Sequence, residues 1–92
     1  MNDKPHRHVL FVSDGTGLTA EVLGETLLTQ FPEIVFHRRI VPYVNSVEEA
    51  HRVVEEIQKA KQETGVTPLV FSTLVDDELR VIIANSDARV FD

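Results

Sequence analysis

The sequence predicts an α/β fold, a parallel sheet in three layers with helices on both faces, and three observations carry that expectation. Short unbroken apolar runs recur at residues 9–12, 69–71 and 90–91, as in strands buried on both faces. Longer segments between them repeat apolar residues at helical spacing, and strict alternation of strand and helix implies right-handed crossovers between parallel strands. Ninety-two residues can bury one modest core and not two, so the alternation describes a single domain over residues 1–92.

The first strand is Val9-Leu10-Phe11-Val12, bounded by His8 and by Ser13-Asp14-Gly15. A helix follows over 18–31, with Leu23, Leu27 and Phe31 in an apolar stripe, Ala20, Gly24 and Leu28 beside them, and Pro32 to end it. Residues 34–41 are β-rich but carry His37, Arg38 and Arg39, which suits an edge strand with a wet face. Ser46 and Glu49 form a capping-box pattern ahead of the clearest helix, whose apolar face is Val47, Ala50, Val53, Val54, Ile57 and Ala60. Pairs Glu48/Arg52 and Glu55/Lys59 have the spacing of surface ion pairs. Gly65 is placed to end this helix, with Pro68 shortly after. Leu69-Val70-Phe71 forms the third strand, and Asp76-Asp77-Glu78 opens a third helix with Leu79, Ile82 and Ile83 as its apolar face. Val90-Phe91 begins a fourth strand. The continuous first and third strands belong at the centre, which gives the flavodoxin-like order 2-1-3-4. The order 3-2-1 of dinucleotide folds is the competing arrangement.

Composition removes several classes of function. A hydrophobic share of 42% with 26% charged residues is near the globular average, and no apolar run approaches the roughly 18 residues of a membrane span. The polar start lacks the apolar core of a secretory signal, so a cytoplasmic protein without a membrane partner is expected. The absence of cysteine excludes a disulfide framework, a thiolate zinc site and a cysteine nucleophile. Nine Lys and Arg against fifteen Asp and Glu leave a net charge of −6, with ten of the acidic residues after position 46. Such a field repels phosphate backbones, so no nucleic-acid partner is expected. The acidic excess itself fits solvated helix surface.

With order 2-1-3, a ligand crevice lies beyond the carboxyl ends of strands one and three. Two loops meet there, Ser13-Asp14-Gly15-Thr16-Gly17 and Ser72-Thr73-Leu74-Val75-Asp76-Asp77. Glycines let backbone N–H groups approach an anion, the next helix offers its positive end, and the hydroxyls of Thr16 and Thr19 add donors. Ser13, Asp14, Gly15, Thr16, Gly17 and Thr19 are therefore the candidate phosphate loop, with Ser72, Thr73, Asp76 and Asp77 as crevice partners. The run from Gly15 to Ala20 satisfies G-x-G-x-x-A, yet the acidic residue of a dinucleotide site is missing at the end of the second strand. A Gly-rich turn with Thr16 or Asp14 as helix cap explains the same residues. No Gly-Lys pair occurs, so a Walker A loop is absent.

Asp14, Asp76 and Asp77 have the chemistry of a Mg²⁺ pocket, but an acidic run at a helix start is read first as a cap, and a receiver-type site lacks its lysine. His6, His8, His37 and His51 are spread over a tail, a strand and a helix without ligand spacing, so no metal site is expected. Arg38 and Arg39 suit an anion or a charged edge equally well. Ser13 is not in a G-x-S-x-G elbow.

Residues 8–32, centred on Ser13-Asp14-Gly15-Thr16-Gly17-Leu18-Thr19-Ala20-Glu21 and ending in Gln30-Phe31-Pro32, resemble the opening of the phosphoenolpyruvate synthase regulatory proteins, relatives of the pyruvate,phosphate dikinase regulatory proteins. Residues 64–75 and Arg80-Val81-Ile82-Ile83 resemble the same family. The resemblance implies a bifunctional enzyme that uses ADP to phosphorylate a threonine of its target. It removes that phosphate with inorganic phosphate, releasing pyrophosphate. The family's P-loop lies in a later domain, so residues 1–92 are expected to be the N-terminal part of a longer chain, binding neither ADP nor phosphate tightly alone. Its expected partners are phosphoenolpyruvate synthase or pyruvate,phosphate dikinase, the later P-loop domain, and further copies of itself. The resemblance maps no catalytic residue onto this stretch. Two other readings stay open, a non-catalytic module for a small anion or protein and a dinucleotide-binding half-domain.

Overall fold

The structure is a computed structural model, and it describes residues 4–92. Seven elements alternate as β1 (His6–Val12), α1 (Leu18–Leu28), β2 (Val35–Val41), α2 (Val47–Thr64), β3 (Leu69–Ser72), α3 (Asp77–Ala84) and β4 (Arg89–Phe91). The four strands form one parallel sheet in the order β2-β1-β3-β4, the flavodoxin-like arrangement. The competing 3-2-1 order is thereby excluded.

The period-two geometry of a strand divides the central residues between two cores. Leu10, Val12 and Val70 face α2 and α3, where they meet Ala50, Val53, Ile57, Leu79 and Ile83. Val9, Phe11, Leu69 and Phe71 face α1, against Ala20 and Leu28. Residues 9–12 of β1 and 69–72 of β3 are covered on both sides, and all but Ser72 are apolar, whereas β1 begins with the less buried His6, Arg7 and His8. β2 lies at the edge with His37, Arg38, Arg39 and Ile40 exposed. Its two arginines brace the helices on opposite faces: Arg38 forks onto Glu25 of α1, and Arg39 Nε reaches Glu56 of α2 at 2.6 Å.

Caps behave as the sequence indicates at two of the three helices. The Ser46 hydroxyl accepts from Glu49 N at 3.1 Å, while the Glu49 carboxylate accepts from Asn45 N and from the Ser46 hydroxyl. Helix α2 ends at Gly65, φ 72°, whose N–H donates to Lys61 O. Asp76 caps α3 by accepting from Leu79 N. Helix α1 differs. Its N-cap is Gly17, φ 87°, with no side-chain cap bond, so neither Thr16 nor Asp14 fills that place.

Five further expectations are corrected. β1 starts at His6, because backbone pairing with β2 runs from His6/Val35 onward. α1 stops at Leu28, with Phe31 in the turn that follows. The buried stripe of α1 is Ala20, Gly24 and Leu28, while Leu23 is 63% exposed. The Phe11 and Phe71 rings fill the space beneath the helix, so it approaches the sheet on its smallest residues. A Cβ at Gly24 would overlap Phe11 and come within 2.9 Å of Phe71 Cδ2. On α2, Val47 is exposed rather than part of the core, because it lies in the first turn beyond the sheet's cover. Neither Glu48/Arg52 nor Glu55/Lys59 forms an ion pair among the described residues, where Lys61 instead meets Asp87 at 2.6 Å. Holding two long exposed side chains together gains only about 0.3–0.5 kcal/mol at this spacing.

Candidate functional site at the carboxyl ends of the strands

The loop after β1 is tied to both neighbouring loops. Ser13 is buried, and its hydroxyl accepts from Gly15 N at 3.0 Å, which closes the first turn of the loop. Ser72, also buried, makes the matching bond from Leu74 N at 3.3 Å after β3. The two serines thus shape their own loops, an ST-turn use of a short hydroxyl. Thr73 N donates to Val12 O at 3.0 Å, extending the β1/β3 pairing past the strand ends. The Asp14 carboxylate spans the gap toward Val75 N at 3.4 Å. The crevice expected between Ser13–Gly17 and Ser72–Asp77 therefore has its two walls in contact.

A third wall was not legible in the sequence. The loop after β2 folds over the first loop, with Tyr43 N donating to Gly15 O and Val44 N to Ser13 O, both at 2.9 Å. Val44 is buried beneath it, and Tyr43 stands 57% exposed with φ 58°, an uncommon backbone for an aromatic residue. The signal was faint: Pro42 marked only the end of a strand.

Thr16 and Thr19 are exposed at the start of α1, and Gly17 is buried there. Thr16 Oγ1 lies 3.4 Å from Leu18 N, too long to satisfy that donor fully. The first turn of α1 accordingly retains donors and the positive end of the helix dipole. The acidic crevice residues are otherwise engaged. Asp76 is the α3 cap, and Asp77 lies along α3 with Arg80 Nη1 at 3.4 Å. Among the described residues, no group of three His, Asp or Glu side chains is arranged to hold a metal ion.

The histidines are placed differently from their expected scatter. His6 and His8 both belong to β1 and not to a tail. His6 Nδ1 lies 2.6 Å from His37 Nε2, the His8 and His37 rings are 5.2 Å apart, and His8 Nε2 meets Glu63 Oε2 at 2.9 Å. The register pairs His8 with His37 directly, so alternate β1 residues and one β2 residue share the α2 face. This cluster sits near the amino ends of the strands, away from the crevice. Extending β1 by three residues, from Val9 back to His6, is what would have revealed it.

A parallel α/β domain with its crevice at the β1/β3 switch point is the class these elements define. The model of the kinase/pyrophosphorylase family matches residues 9–91, and the chain belongs to that family. Relatives carrying the name "Putative phosphoenolpyruvate synthase regulatory protein" are 50% identical over 86 residues in Alkalilimnicola ehrlichii, 49% over 82 in Neisseria meningitidis and 49% over 86 in Legionella pneumophila. These alignments cover 94%, 89% and 94% of this chain but 31%, 30% and 32% of the relatives, so it spans about a third of their length. No solved structure matches the chain. Among the described residues, no helix is long and apolar enough to cross a membrane.

Proposed function

We propose that the chain is the N-terminal α/β domain of an enzyme that regulates phosphoenolpyruvate synthase by reversible phosphorylation, using ADP in one direction and inorganic phosphate in the other. The observation that carries this reading is the family match over residues 9–91 on a chain without a Gly-Lys pair. The phosphate-gripping P-loop then lies in the remaining two thirds of the polypeptide, and this domain supplies one wall of the active crevice.

In that role the loop Ser13–Gly17 faces a phosphoryl group, of the nucleotide, of inorganic phosphate or of the modified threonine. Backbone N–H groups of the loop and the first turn of α1 stabilise its negative charge, which is the ordinary use of an uncapped helix start. Thr16 and Thr19 add hydroxyl donors. Asp14 holds the loop against Val75 and so fixes the width of the crevice. Leu18, Val22 and Leu23 of α1 are each more than half exposed and give the rest of the polypeptide an apolar surface to cover.

The test joins residues 1–92 to the remaining part of the Alkalilimnicola relative and follows ADP-dependent phosphorylation of the synthase and its phosphate-dependent reversal. A Cβ at Gly15 meets only Ser13 Oγ, at 3.8 Å, so Gly15→Ala changes the approach of an anion without straining the fold. Gly15→Ala with Thr16→Val is expected to lower both activities about tenfold or more, the loss of one to two charge-assisted hydrogen bonds. Unchanged activities remove the loop from the active site.

A further inference from the structure

At the opposite end of the sheet from the crevice, on the α1 face, lies a cavity of about 390 Å³. Its walls are apolar, with Leu27, Phe31, Phe36 and Phe91 prominent, and two arginines, Arg7 of β1 and Arg89 of β4, stand in its lining. Among the described residues no carboxylate lines it. Arg38, Arg39 and Arg80 each have an acidic partner, whereas among the described residues neither Arg7 nor Arg89 forms an ion pair.

The two guanidiniums are held in place by other means. Arg7 Nε donates to Thr67 O at 2.8 Å, which fixes its plane and leaves its terminal nitrogens without a hydrogen bond to the described residues. Arg89 lies over the Phe91 ring, 5.6 Å from its centroid. Burial, and then the charge of Arg89, lower the pKa of Arg7 below the usual arginine value. Arg7 is half-buried and Arg89 exposed, so water screens part of their repulsion, and a bound anion offsets what remains at both.

We propose that this cavity binds a small amphipathic carboxylate, its charged end held between Arg7 and Arg89 and its aliphatic or aromatic body against Phe31, Phe36 and Phe91. Arginine forks match carboxylate geometry in two parallel hydrogen bonds, and the volume is that of a small-ligand pocket. The site is remote from the loop at 13–17, so it stands or falls separately from the proposed regulatory activity.

The experiment is an amide NMR titration of the 92-residue chain with octanoate, octanol and acetate. Saturable shifts at Leu69, Arg89 and Phe91 are expected with octanoate, and affinities weaker by about tenfold or more with octanol, which lacks the charge, and with acetate, which lacks the body. The double variant Arg7→Gln with Arg89→Gln is expected to lose the octanoate response, while Arg52→Gln keeps it. Octanol binding as tightly as octanoate overturns the proposal without recourse to any variant. So does an octanoate response centred on Leu18, Val22 and Leu23, or loss of octanoate binding once the chain is joined to the remainder of a relative, which would mean that polypeptide fills the cavity.

Discussion

At Gly24 and Gly17 the backbone comes too close to its neighbours for any side chain. Alanine at Gly24 gains about 1 kcal/mol of helix propensity but forces a methyl into the Phe11 and Phe71 rings, an overpacking that costs about 1–3 kcal/mol. Gly24→Ala is therefore expected to lower the urea midpoint with an unchanged slope; a raised midpoint would show that α1 lifts off the sheet easily. Gly17 combines φ 87° with a hypothetical Cβ only 2.8 Å from Ile40 Cγ2, and Gly17→Ala is expected to cost at least the roughly 1–2 kcal/mol of a left-handed alanine. Neither demand was legible in the sequence. Spacing showed Gly24 beside the apolar stripe, but not that two rings from the sheet would turn the helix onto it.

Helix α2 was the most legible element because its signals agree: a cap at Ser46, an apolar period through Ile57 and Ala60, and a left-handed stop at Gly65. Ser46→Ala is expected to cost about 1 kcal/mol and Ser46→Asp to restore most of it, read from the same denaturation curves. Ile57, fully buried between the sheet and α3, is expected to cost about 2–5 kcal/mol as alanine. Arg38→Ala should cost less than about 1 kcal/mol, since both partners of its ion pair remain substantially open to water. Helix α1 was less legible. Leu23 and Leu27 both fit a helical period, and only contact with the sheet decides that Leu23 faces outward. The arginines of β2 marked it correctly as an edge, yet their partners on α1 and α2 lie too far along the chain for spacing to identify.

For the whole molecule, the sheet order followed from which strands were continuously apolar, a property of the residues themselves. The meeting of the β1 and β3 loops followed in turn from that order. The β2 loop over Gly15 and the histidine cluster escaped, because each depends on register between strands rather than on any one segment. The exposed row Leu18, Val22 and Leu23 predicts concentration-dependent self-association of the 92-residue chain; sedimentation velocity showing a single monomer at every concentration would count against an uncovered docking face. The central claim, that this domain serves a phosphoryl-transfer crevice through the loop at 13–17, is tested most directly by activity of the chain joined to the remainder of a relative. ADP-dependent phosphorylation of phosphoenolpyruvate synthase is expected with the unaltered loop and a loss of about tenfold or more with Gly15→Ala and Thr16→Val. Equal activity in the two, with unfolding midpoints also equal, would contradict it.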